Sequence, residues 1–125
     1  MTERREAIEA AYKTYLQTIG DACSFCTSYE QDAEHILRHT EYFLIFKNIF
    51  PYDTFDTLHV DEHLMIIPKR HLLTFSEFTD EESREFMKLA TEYEEQGFSL
   101  YSRSSTNATR SVRHHHAHLI TLETL

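Results

Sequence analysis

Glycine and proline are nearly absent from this chain, at 2 residues each in 125; tryptophan is missing and cysteine is held to 2 residues. No repeat, low-complexity tract or interdomain linker accompanies that scarcity, and neither a disordered tail nor a disulfide-stapled mini-protein fits. Positive charge is also in short supply. There are 12 Lys+Arg against 21 Asp+Glu, a formal net charge of -9. Generic binding to nucleic acid or anionic membranes needs clustered cations that displace counterions, so neither fits. Any nucleotide contact must then be local. No apolar run approaches the roughly 20 residues needed to span a bilayer, and the start, Met1-Thr2-Glu3-Arg4-Arg5-Glu6, lacks a signal peptide's apolar stretch. The cytosol is the expected location.

What the chain does have is a hydrophobic share of 41% with 13% aromatics, enough to fill a core without cross-links. The length predicts one domain over residues 1–125, with an N-terminal helix in 1–20 and a core in 23–121. Ile8, Tyr12, Tyr15, Leu16 and Ile19 recur at helical spacing across 2–19, and Gly20 stands where a C′ glycine would stop the helix. The stretch Gln31–His39 reads as a short helix or a turn-rich connection. Tyr42–Phe46 and Leu64–Ile67 are short apolar runs, each followed by a proline, and read as buried strands. Thr79-Asp80-Glu81-Glu82 is a capping box opening a helix that buries Phe86, Leu89, Ala90 and Tyr93 and stops near Gly97. Phe98–Ser102 and Ser111–Thr121 read as two more strands. Connections too short for crossover helices between most strand neighbours predict an α+β fold with a mainly antiparallel sheet and two main helices.

Nine histidines, four of them between 114 and 118, stand out. On an extended strand alternate side chains share a face, so His114, His116 and His118 line up at about 6.6 Å per step while His115 and Ala117 face the other way. Three readings follow: a polar strip or leftover affinity tag, a plain metal site, or nucleophilic catalysis. A tag fits poorly, because the run is interrupted by Ala117 and continues into Leu119-Ile120.

His114-His115-His116-Ala117-His118-Leu119-Ile120 resembles the signature of the histidine triad (HIT) family, His-φ-His-φ-His-φ-φ, with His115 standing where an apolar residue is usual. Phe46–Tyr52 followed by His63–His71, with its Pro68-Lys69-Arg70-His71 segment, is similar to the family's nucleoside-binding strand pair. The likeness covers about residues 23–121. It implies a HIT-like fold, a homodimer, and a nucleotide hydrolase or transferase working at the α-phosphate of nucleoside monophosphate derivatives, such as dinucleoside polyphosphates or nucleoside phosphoramidates, through a covalent nucleotidyl-histidine. His116 is the implied nucleophile; neutral imidazole suits that role, being nucleophilic near neutral pH and a workable leaving group. His118 would donate to a phosphate oxygen. Asn48 matches the ribose-contacting position, Ser111 a hydroxyl near the phosphates, and His63 a histidine lining the pocket. Many relatives carry Ala-Gly-Gln where this chain has Ala108-Thr109-Arg110; Arg110 is thus a candidate phosphate clamp, with Arg103 a second candidate at the leaving group.

Cys23-x-x-Cys26 is half of a tetrahedral zinc site. His35 and His39 would complete it locally if they sat on a helix at i,i+4. Relatives resembling galactose-1-phosphate uridylyltransferase instead use the histidine after the Pro-x-x segment and the first of the triad, here His71 and His114. This second set is preferred because it ties the N-terminal segment to the catalytic strand, making His114 structural as well. A redox role for the cysteines lacks a thioredoxin-like context. Two competing classes remain: a zinc-stabilised nucleotide-binding or interaction module, and a metallohydrolase with the triad as its metal site.

Overall fold

The structure, a computed structural model, describes residues 2–19, 23, 25–26, 33–107 and 112–124. Strand β1 (Thr2–Glu3) leads into helix α1 (Glu6–Ile19), followed by β2 (Ile36–His39), β3 (Phe43–Lys47), β4 (Thr54–Phe55) and the long β5 (Leu58–Pro68). Helix α2 (Asp80–Glu95), β6 (Ser99–Tyr101) and β7 (Ala117–Leu122) complete the order. Among the described residues seven strands form one antiparallel sheet in which β5 is the hub: β3 and β7 pair with its two edges and β4 with its start. The main layer therefore runs β2-β3-β5-β7-β6, as the α+β reading requires.

Strand parity decides what each face holds. Phe43 and Ile45 from β3, Leu64 and Ile66 from β5, and Ala117 and Leu119 from β7 point to α2 and pack on Phe86, Leu89 and Tyr93. The opposite face receives Phe46, Met65 and Ile67, with His63, His118 and Ile120 of the same parity. An irregularity between Val60 and Glu62 lets Val60 join Tyr52 and Ile120 on this second face, the parity change that a bulge produces.

Several expectations are corrected here. The first helix begins at Glu6, because Thr2 and Glu3 pair with Phe55 and Thr54. The strand expected at Leu64–Ile67 extends over Leu58–Pro68, since the polar half Leu58–Glu62 finds ladder partners in β4 and β7. The strand expected to begin at Ser111 covers Ala117–Leu122, and His114–His116 precede it in irregular backbone. Ile36–His39 is a strand against β3, so the helical His35/His39 pair does not form. Gly20, Arg110 and Ser111 lie outside the described residues.

The expected capping box is in place: Thr79 Oγ1 accepts from Glu82 N–H at 3.1 Å and Glu82 Oε1 from Thr79 N–H at 2.8 Å. Gly97 follows the helix at φ +95°, a conformation that glycine adopts without a Cβ penalty. Thr79→Ala is expected to lower stability by about 1 kcal/mol in urea unfolding with an unchanged m-value; an unchanged midpoint would show that packing alone holds the helix start.

Candidate active site

Pro68 ends β5 and the chain turns into the segment carrying His71, held by side chains rather than by ladder bonds. Arg70 Nη2 donates to Glu82 Oε1 at 2.8 Å, and Glu77 Oε2 accepts from the Leu73 and Thr74 N–H groups at 2.7 and 3.0 Å. Glu82 is only 3% exposed, and its hydrogen bond to Arg70 is the first reason that its carboxyl stays below the usual range. The His71 segment is thereby fixed to the start of α2. His115 N–H donates to Leu72 O at 2.7 Å, bringing the histidine run alongside. His115 itself packs on the aromatic residues that precede α2, its ring 4.2 Å from Phe75 and 5.8 Å from Phe78, so the departure from the apolar pattern is accommodated by an aromatic wall.

On the other face, His114 is 1% exposed, and its Nε2 lies 2.8 Å from Pro68 O. A carbonyl only accepts, so Nε2 carries the proton and Nδ1 the lone pair. Nδ1 lies 3.5 Å from both Cys23 Sγ and Cys26 Sγ, and His71 Nδ1 lies 3.2 Å from Cys26 Sγ. All four ligand atoms fall within 4.8 Å of one another. Tetrahedral zinc with ~2.3 Å bonds to sulfur and ~2.0–2.1 Å to nitrogen has edges of about 3.3–3.8 Å, so these separations and this donor set fit that ion. Burial, then the neighbouring Cys23, push the Cys26 thiol up to about 11; a divalent cation among the four atoms reverses that by favouring thiolates.

The same logic fixes the protons further along. His116 Nδ1 lies 2.9 Å from His114 O, so it donates and leaves the lone pair on Nε2. Ser102 Oγ donates to His116 O at 2.8 Å, and Phe25 meets the His116 ring edge-on with centroids 4.8 Å apart. His63, 4% exposed, accepts the Tyr52 N–H on Nδ1 at 3.1 Å; its proton is therefore on Nε2, 2.8 Å from His118 Nδ1. His118 in turn carries its proton on Nε2. Asn48 starts the intervening loop, its Oδ1 accepting from Phe50 N–H at 2.8 Å while Nδ2 approaches Met65 and His63.

Of the residues singled out in the sequence, His116, His118, His63, Asn48 and Arg103 thus come together in one chain of side-chain contacts, and Cys23, Cys26, His71 and His114 gather in a second cluster. Tyr52 was not singled out. It stacks on His63 at 4.4 Å and accepts from Arg103 Nη1 at 2.7 Å, and a tyrosine after Pro51 carries no periodic signal that marks it as a site residue.

The family model for the HIT domain matches residues 29–125, and the chain belongs to that family. Solved structures similar to it include a HIT family hydrolase from Clostridium thermocellum, at 21% identity and TM-score 0.60, covering 83% of this chain and 92% of that one. A member of the HIT family from Bacillus subtilis matches at 25% identity and TM-score 0.62, covering 82% and 74%. A histidine triad nucleotide-binding protein from Candida albicans matches at 20% identity and TM-score 0.58, covering 82% and 76%. No curated protein sequence matches the chain. Among the described residues no helix is long and apolar enough to cross a membrane.

The buried imidazoles make a pH signature. Burial, then Arg4, His116 and Arg103, push His63 down to about 3, and burial, then His116 and His63, hold His118 well below 6.5. Because both values are lowered, the unfolded chain binds protons below pH 6.5 that the folded chain refuses. Stability is full above that pH and falls as pH drops, by about 1.4 kcal/mol per pH unit for each ring. In chelator, the urea midpoint should fall between pH 7 and 5, above the range where the lowered carboxyls of Glu77, Glu82 and Glu92 contribute. His63→Gln should make the fall shallower; an identical profile in the variant would place the titration elsewhere.

Proposed function

We propose that this HIT family member hydrolyses or transfers nucleotides at the α-phosphate, with His116 as nucleophile. The observation that carries the reading is the bond from His116 Nδ1–H to His114 O, which leaves the lone pair on Nε2 of a ring whose centroid lies 4.9 Å from that of His118. Attack by Nε2 on the α-phosphorus forms an N–P bond as the bond to the leaving group breaks, and water then releases the nucleotide. His118 Nε2–H stabilises charge on the phosphoryl oxygens. Asn48 and His63 form the wall beside the nucleoside, Arg103 contacts substrate from the opposite loop, and Arg110 and Ser111 are proposed phosphate contacts.

Cys23, Cys26, His71 and His114 would hold Zn²⁺ as a structural ion. When bound, the ion supplies rigidity and thiolate stabilisation, and no reacting atom needs to touch it. The full chain 1–125 as a single domain, its homodimer and its cytosolic location are part of the same proposal, the dimer resting on the family resemblance and checked by light scattering.

Incubation with an adenosine phosphoramidate and with a dinucleoside polyphosphate, followed by intact mass, should reveal an added nucleoside monophosphate that is absent from a folded His116→Ala protein. Turnover that is negligible and equal in both proteins, with nucleotide still binding, would instead identify a binding module. Elemental analysis should find about one zinc per chain. Chelation should lower Tm without abolishing adduct formation in protein that stays folded, and Cys26→Ser should lose the metal. Adduct formation that fails on chelation while folding persists would point to metallohydrolase chemistry.

A further inference from the structure

Residues 2–19 precede the family match, which begins at residue 29, yet they are tied to the loop that runs from Asn48 to Asp53. Thr2 and Glu3 pair with Phe55 and Thr54, Glu3 O accepts the Asp53 N–H, and Arg5 meets Asp53 at 3.0 Å. From α1, the rings of Tyr12 and Tyr15 pack on Phe50 with centroids 5.1 and 5.3 Å from its own.

Arg4 stands at the centre of these contacts, its side chain only 15% exposed. Its Nε donates to Phe50 O at 2.7 Å, and its Nη1 pairs with Glu9 Oε2 at 3.3 Å. Its Cζ lies 4.3 Å from the ring centroid of Tyr12 and 4.8 Å from that of Tyr52. A guanidinium suits this place because its donors lie in a rigid plane whose faces rest on aromatic rings.

Phe50 passes the constraint on to the site. Its carbonyl is held by Arg4, and its own N–H donates to Asn48 Oδ1 at 2.8 Å. Two residues on, Tyr52 N–H donates to His63 Nδ1 at 3.1 Å, which leaves the His63 proton on Nε2, 2.8 Å from His118 Nδ1. The peptides of Phe50 and Tyr52 therefore set both the direction of the Asn48 amide and the nitrogen of His63 that carries the proton. A neutral imidazole takes its tautomer from its hydrogen-bond partners, so a loop free to shift would let both forms of His63 exist. The Arg4 charge also adds to burial in keeping His63 neutral.

We propose that Arg4 is a positioning residue for the nucleotide site, acting through Phe50 and Tyr52 to hold the Asn48 amide and the His63 tautomer ready for substrate. Arg4 touches no reacting atom. It orders the loop before the nucleotide arrives, so that binding does not carry the cost of ordering it. The inference rests on the nucleotide site proposed above.

The test uses the full zinc-loaded chain, with adenosine 5′-monophosphate binding followed by calorimetry and the imidazoles by proton–nitrogen correlation spectra. In Arg4→Gln, Kd should rise about tenfold, and KM on the adenosine phosphoramidate should rise more than kcat falls. His63, a single Nε2–H tautomer in wild type, should become a mixture. Arg4→Lys keeps the charge and a donor without the planar fork; it should recover part of the affinity, and it decides the matter if Arg4→Gln does not fold. Lys13→Gln removes the same charge from the exposed face of α1 and should leave Kd within twofold of wild type. A Kd within twofold of wild type in both Arg4 variants, an equal rise in Lys13→Gln, or an unchanged His63 signal in Arg4→Gln overturns the assignment while nucleotide binding and adduct formation by wild type stand. Wild type that neither binds the monophosphate nor forms an adduct overturns the functional reading and this inference with it.

Discussion

The hydrogen-bond register between β5 and β7 is the constraint on which the site depends. His63 stands opposite Ile120 and Met65 opposite His118, so the two histidines come within reach of one another diagonally across the ladder. Side chains alternate with a period of two, and a slip of one residue would turn both imidazoles into the apolar layer under α2 while sending Leu64 and Leu119 to the pocket. Register is therefore enforced from the core side. Phe86, Leu89 and Tyr93 of α2 accept only the apolar parity of three strands at once, and the histidines are placed by the exclusion of their neighbours.

Once placed, the histidines are kept neutral, and neutrality makes their hydrogen bonds directional. A protonated imidazole donates from both nitrogens and would break either the Tyr52 N–H bond to His63 or the His63 bond to His118. Burial and the cations at Arg4 and Arg103 both oppose that proton. The acidic surface matters less here than its sum suggests, since solvent and ions screen it beyond about 10 Å. What the pocket senses is two nearby guanidiniums in a desolvated wall.

Legibility followed the range of the interactions. The Thr79 cap and the apolar periodicity of α2 are local patterns, and both are found in the structure, whereas only His118 of the histidine run lies on the strand from which its alternation was read. The four-residue metal set was legible only through a family resemblance, because no spacing rule links Cys23 to His114. Strand β4 escaped notice because its turn, Asp56-Thr57, adopts positive φ at 53° and 65° without the glycine or asparagine that usually marks a hairpin. Strand β1 and the lower half of β5 read as polar because their stability comes from partners far along the chain. Tyr52 and Arg4 were illegible for the same reason: their positions are meaningful only after the loop from Asn48 to Asp53 is folded against the N-terminal segment.

One residue joins the two halves of the site. His114 turns its Nδ1 to the cysteines, gives its Nε2 proton to Pro68 O at the end of β5, and offers its own carbonyl to His116 Nδ1. The first two contacts fix the ring and hence the peptide that follows; the third fixes which nitrogen of His116 holds the lone pair. A metal at the cluster would act on this same peptide from the ring side, stiffening the acceptor without approaching the pocket. That arrangement gives the cysteine pair a physical reason to exist beside the histidine run. The tautomer of His116, the proposed nucleophile, depends on a carbonyl, and irregular backbone from Val112 to His116 would otherwise leave that carbonyl with no ladder to hold it.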